Sequence, residues 1–127
     1  MSAANEPVLR AEFELDALGR PLMAQSGQHD HYKIRLLVDG APIDTHAVTY
    51  ELDRSYYDPI REARDRSGGF TQEVTSYGDY VVKANVRAKS GSTTLAVPLS
   101  KALEYSYVAN GGLTDPVRFA IEQIRTH

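Results

Sequence analysis

Apolar and polar residues alternate with a period of two along much of the chain, the pattern of a strand with one face on a core and one in water. Leu9, Ala11, Phe13 and Leu15 fall on one side, with Arg10, Glu12, Glu14 and Asp16 on the other. Tyr32, Ile34 and Leu36 alternate with Lys33 and Arg35, and the segment closes on Asp39-Gly40, a turn dipeptide. Val48, Tyr50 and Leu52 repeat the pattern, and so do Val82, Ala84 and Val86. Ser90-Gly91 then turns the chain into Thr93, Leu95, Val97 and Leu99. Antiparallel strands are therefore predicted over residues 9–15, 31–38, 45–52, 74–89 (broken near Gly78) and 93–99. Tyr105 and Tyr107 read as a further strand-like pair that ends the β-rich region. Short strands separated by turns, with no long helical period between them, predict two packed sheets rather than a βαβ unit. Phe13, Ile34, Leu36, Tyr50, Leu52, Val82, Val86, Leu95 and Val97 are the expected core, and Tyr80 is read with Tyr50 as a tyrosine with a buried ring.

Two stretches break the alternation. Residues 56–67 are polar, carry Pro59 and many charges, and read as a connecting loop with room for one helical turn. After Gly111-Gly112, Thr114-Asp-Pro-Val117 reads as a helix start, with a capping residue and proline in the first turn. Val117, Ile121 and Ile124 would share one face of that helix. So short a helix is marginal alone, so it either docks on the sandwich or leads into a following domain. The expected organisation is a flexible start over residues 1–7, a sandwich over 8–107, and a linker with a short C-terminal helix over 108–127.

Composition narrows the function classes. The 127 residues suit a single domain, and 42% apolar with 24% charged residues is ordinary for a globular protein. With no cysteine, disulfides, thiolate nucleophiles and cysteine-ligated metal sites are excluded. A net charge of −3 with mixed signs argues against a nucleic-acid partner, which wants a basic face. Apolar runs are too short to insert in a membrane, and the first residues lack the basic start and apolar stretch of a signal peptide. A cytoplasmic location is the expectation.

Chemistry-bearing motifs are few. The sequence contains no nucleophile elbow, phosphate-binding loop, zinc-protease helix or dinucleotide fingerprint. Asp53, Asp58, Glu62 and Asp65 resemble paired carboxylates, and an acid–base hydrolase is the enzymatic reading they leave. Arg54, Arg61, Arg64 and Arg66 interleave them, however, as on a solvated surface. His29-Asp-His31 would place both imidazoles on one face of a strand, but a metal site needs a third ligand such as Asp44 or His46. His46 and His127 read as solvated. No enzymatic activity, metal or cofactor is expected.

One stretch carries a family pattern. Val48-Thr-Tyr-Glu-Leu-Asp-Arg-Ser-Tyr-Tyr-Asp-Pro59 is similar to the YEATS pattern Val-x-Tyr-x-Leu-His-x-Ser/Thr-Phe-x-x-Pro. Ser76-Tyr-Gly-Asp-Tyr80 is similar to that family's Gly-Trp-Gly-Glu-Phe element, and the strands that follow come in the expected order. Over residues 30 to 107 the chain resembles the prokaryotic branch of the YEATS domains. The resemblance implies an all-β, immunoglobulin-like antiparallel β-sandwich whose end loops form a ligand site. In eukaryotic members that site holds an acylated lysine between two aromatic rings. Carried over, the rings are Tyr56 and Tyr77, the hydroxyl residue before the first is Ser55, and Gly78 lies where backbone approaches the ligand. Two departures stand out: Asp53 occupies the position of the readers' histidine, and Tyr77 that of the family's tryptophan. An ionised carboxylate only accepts hydrogen bonds, so Asp53 favours a donor-bearing or cationic ligand over a plain acyl amide. Prokaryotic members occur as modules of signalling and defence proteins.

The expected function is thus a ligand- or modified-peptide-binding module using Asp53, Ser55, Tyr56, Tyr77 and Gly78. Its partner would be a small ligand or a modified lysine peptide, acylated ones included. The alternative is an interaction module that docks a neighbouring domain of a longer chain. In that case Tyr56 and Tyr77 only anchor their loops, and Asp53 and Ser55 only cap a turn.

Overall fold

A computed structural model describes residues 6–26, 29–109 and 112–127 of the chain. The start over residues 1–5 and Gly111 of the predicted turn lie outside the described residues, as do the side chains of His29 and Asp30. Among the described residues, eight strands form two antiparallel sheets: β1 (Val8–Phe13), β2 (Met23–Ser26), β3 (His29–Asp39), β4 (Thr45–Glu51), β5 (Ile60–Ala63), β6 (Gln72–Ser76), β7 (Val81–Ala88) and β8 (Gly91–Pro98). Two helices follow, α1 (Leu99–Ala109) and α2 (Asp115–Arg125).

In the first sheet the long β3 is the spine. Tyr32 pairs with Met23 on one edge and Ser76 on the other, while Ile34 pairs with Phe13 and Val74. So β1 and β2 lie end to end along one edge of β3, and β6 runs along the other. The second sheet has the order β5-β4-β7-β8. Alternation puts Leu9, Ala11, Phe13, Ile34, Leu36 and Val38 of one sheet against Val48, Tyr50, Val82, Ala84 and Val86 of the other, all buried. The Asp39-Gly40 turn requires its glycine, because φ is +75° and a Cβ would stand 3.0 Å from the Glu6 carbonyl oxygen. The Tyr50 hydroxyl crosses the core and donates to the Phe70 carbonyl at 2.5 Å, tying β4 to the entry of β6.

Most of the predicted strands are present, with corrections. The first ends at Phe13, and Leu15 keeps only an isolated bridge to Pro21. The loop predicted over residues 56–67 contains an edge strand, β5, which pairs Ala63 with Val48 and Ile60 with Glu51. The helical turn follows as a 3-10 segment at Arg66–Gly68, where the Asp65 carboxylate accepts from the Ser67 N–H. Leu95 and Val97 are half-buried rather than core residues, as is Tyr80.

The largest correction concerns Tyr105 and Tyr107, which stand in helix α1 and not in a strand. Leu99, Ser100, Ala102, Leu103 and Ser106 are buried in it, and the spacing of Leu99, Ala102, Leu103 and Ser106 is helical. The helix starts where β8 ends at Pro98. Its first turn is capped by Asp79, whose carboxylate accepts from the Ser100 N–H at 3.0 Å and the Ser100 hydroxyl at 2.7 Å. α1 lies along β1, and the Tyr107 hydroxyl accepts from the Phe13 N–H at 2.8 Å.

α2 is the predicted short helix. Val117, Ala120, Ile121 and Ile124 are all buried, so it docks on the domain. Thr114 stands at its N-cap without a side-chain cap bond, and Pro116 fills the first turn. Gln123 of α2 accepts a hydrogen bond from the Tyr32 hydroxyl on β3.

Candidate functional site

Two loops meet at one end of the sandwich. The first runs from Leu52 to Pro59 between β4 and β5, and its base is closed by the Leu52 N–H donating to the Pro59 carbonyl at 2.7 Å. Inside it the Asp53 carboxylate accepts from the Ser55 N–H at 2.9 Å, and the Tyr56 N–H donates to the Asp53 carbonyl at 3.1 Å. This is an aspartate turn, the local bond that Asp forms readily. The N–H and hydroxyl of Ser55, with the charge of Arg54, hold the Asp53 carboxyl below the usual carboxylate range, so it stays ionised.

The second loop joins β6 to β7. Buried Ser76 folds it locally: its hydroxyl donates to the Gly78 carbonyl at 2.7 Å and accepts from the Gly78 N–H at 3.3 Å. Gly78 has ordinary backbone angles, and its lack of a side chain matters through space. A Cβ there would stand 3.3 Å from the carbonyl oxygen of His127, beyond the end of α2.

Tyr56 joins the loops. Its hydroxyl donates to the Thr75 carbonyl on β6 at 2.5 Å, and its ring meets Tyr80 edge-on at 5.6 Å. The Tyr80 hydroxyl donates to that of Tyr56 at 3.2 Å, and burial pushes the Tyr80 phenol far above its ordinary value. Tyr77 faces outward. Its ring is 42% exposed, stacks on His31 at 5.1 Å and meets His127 edge-on at 6.3 Å.

Between the loops lies a cleft of about 430 Å³. Asp53, Ser55, Tyr56, Tyr77 and Gly78 all line it, so the structure brings together the five residues singled out from the sequence. Tyr57, His31, Asp79, Tyr80 and His127 also line it. Tyr57 projects fully into solvent. His127 is exposed, as expected, yet contributes to the wall. His31, weighed from sequence with His29 as a metal pair lacking a third ligand, stacks on Tyr77, and the His29 side chain lies outside the described residues. Among the described residues no three His, Asp or Glu side chains are grouped to hold a metal, and Asp44 binds the Ser90 N–H at 2.7 Å.

The polarity of the cleft is lopsided. The N–H groups of Ser55, Tyr56 and Gly78, and the hydroxyls of Tyr56, Ser76 and Tyr80, all donate to atoms of the protein itself. The Gly78 backbone donor expected near a ligand is thus committed internally, and so is the Ser55 N–H.

The fold and loop arrangement can be set beside known proteins. The family description "prokaryotic YEATS domain" matches residues 32–100, from β3 into the first turn of α1 and over more than half of the chain. The chain belongs to the prokaryotic YEATS family. Among solved structures, the Yaf9 YEATS domain recognising an H3K122suc peptide is similar with a TM-score of 0.53 and 14% identity, over 74% of each chain. The same domain bound to H3K27ac gives a TM-score of 0.49 and 14% identity, over 74% of this chain and 73% of the other. At that identity the likeness establishes the YEATS sandwich as the fold. Among curated proteins, none matches the sequence.

In this YEATS domain both motif loops sit at the cleft. Sequence reasoning missed the histidines because their partners are remote in the chain: His31 comes from β3 and His127 from beyond α2. Tyr57, beside Tyr56, was legible as an extra aromatic but had no family position to mark it.

Proposed function

We propose that this YEATS domain is a non-catalytic reader or sensor module that takes a small ligand or a modified lysine side chain into the cleft between its two motif loops. The observation that carries this reading is the convergence of Tyr56, Tyr57 and Tyr77 on one open cleft. Rings that only anchored loops would be packed away, whereas Tyr77 is 42% exposed and Tyr57 projects into solvent. The Yaf9 domain that shares the fold recognises an H3K122suc peptide, which supports peptide binding by this architecture. A non-catalytic role fits the two cleft carboxylates. Asp53 is an ionised turn-former and Asp79 caps α1, so neither is poised as a proton donor. In the cell we place the module within a larger bacterial signalling or defence protein in the cytoplasm. No described helix is long and apolar enough to cross a membrane.

A second reading, docking of a neighbouring domain, draws on a different surface. Tyr105, Val108 and Phe119 of the helices are 54%, 62% and 63% exposed, apolar groups that a partner would cover.

NMR titration with acylated, methylated and unmodified lysine peptides separates the two. The site reading expects at least one peptide to shift amides in both residues 53–57 and 76–79, with the shifts reduced in Tyr77→Ala. If no peptide perturbs either loop, the domain is an interaction module.

A further inference from the structure

Resting on the reading of the cleft as the binding site, we propose that it is a cation cage: it takes an alkylammonium group, such as that of a methylated lysine, in preference to an acyl amide. Three features of the cleft carry this.

The first is formal charge. The chain holds 14 Lys and Arg against 17 Asp and Glu, yet among the described residues no Lys or Arg lines the cleft, whose carboxylates are Asp53, beside Arg54 in the chain, and Asp79. Asp79 spends both oxygens on Ser100. Asp53 is exposed, so its charge reaches whatever enters.

The second is hydrogen-bonding capacity. An acyl carbonyl needs donors, and burying it without them is costly. Six donors around this cleft are already satisfied within the protein, as described above. An alkylammonium asks for no donor; it needs acceptors, ring faces and a negative charge.

The third is the rings. Phenol faces carry negative potential and attract cations within about 6 Å of the centroid. Tyr56 already does so on behalf of the protein, with the Arg61 guanidinium carbon 5.8 Å over its ring. Arg61 lies in a separate hollow of about 280 Å³ that shares Tyr56 and Thr75 as a wall with the cleft. Tyr57 and Tyr77 are the more exposed tyrosines lining the cleft, with one face of Tyr77 covered by the stacked His31.

The test compares three capped amino acids by NMR titration: Nε-trimethyllysine, its neutral isostere with a tert-butyl group in place of the trimethylammonium, and Nε-acetyllysine. Asp53→Asn isolates the charge, because the amide oxygen still accepts from the Ser55 N–H and keeps the turn. Tyr57→Ala removes a ring whose full exposure rules out a folding role. The cage predicts that trimethyllysine shifts the cleft amides and that the isostere binds roughly tenfold more weakly. Each substitution should weaken trimethyllysine binding roughly threefold to tenfold. If the isostere or acetyllysine binds as tightly as trimethyllysine, or if Asp53→Asn changes nothing, the cation preference is wrong while the cleft remains a binding site. If none of the three shifts a cleft amide, while every peptide in the wider panel also fails, both readings fall together.

Discussion

Single tyrosines do unlike work in this domain, and their surroundings decide which. Tyr50 is wholly buried and spends its hydroxyl on the Phe70 carbonyl; Tyr107 covers the edge of β1; Tyr57 touches nothing that would bury it. Alternation identified Tyr50 because it sits mid-strand, but it could not distinguish the half-buried Tyr80, which stands in the loop just before β7 and lines the cleft. Burial raises the phenol pKa of Tyr50, Tyr80 and Tyr107 above the ordinary 10.0. The folded state therefore holds these protons more tightly than the unfolded chain. That contribution is fully present below the unfolded value and is lost as pH rises above it. We expect stability, measured by urea denaturation, to hold from neutral pH to about 10 and fall beyond it. Phenolate absorbance from these three tyrosines should appear only with unfolding. A single smooth titration of all eight tyrosines in a still-folded protein would show the burial to be wrong.

Among the elements, period two revealed the strands with one buried face and failed where that signal is thin. β5 buries only Ala63 and is flanked by charged residues, so its four residues resemble the loop around them. β2 has four residues and pairs only with one end of β3. In α1, the i, i+2 spacing of Tyr105 and Tyr107 imitates one face of a strand, yet the helix turns Tyr105 outward and lays Tyr107 against Phe13. The helical signal there is carried by Leu99, Ala102, Leu103 and Ser106, and a strand reading had already claimed Leu99. Asp79 is what links the motif loop to this helix. Replacing Asp79 by Ala should cost about 1–2 kcal/mol, the usual effect of losing a helix cap. Thermal denaturation should show the loss, with amide shifts concentrated in residues 76–81 and 99–103. A midpoint equal to wild type would mean that the cap bonds contribute nothing.

For the molecule as a whole, topology accounts for the gap between what the sequence shows and what the cleft contains. Local motifs exposed the two loops and all five residues proposed to meet a ligand, because each motif is contiguous. The order of sheets and helices brings His31 and His127 to the same cleft, and no local spacing encodes that. Nor does the sequence show that these loop donors are used internally, which is one of the observations behind the proposed cation preference. The account stands or falls on whether a ligand sits among those rings. Intermolecular NOEs between the methyl protons of a trimethyllysine peptide and the ring protons of the domain measure this most directly. The account predicts NOEs to both Tyr57 and Tyr77. NOEs confined to Tyr105 and Phe119 on the helices, with none to the cleft tyrosines, would contradict it.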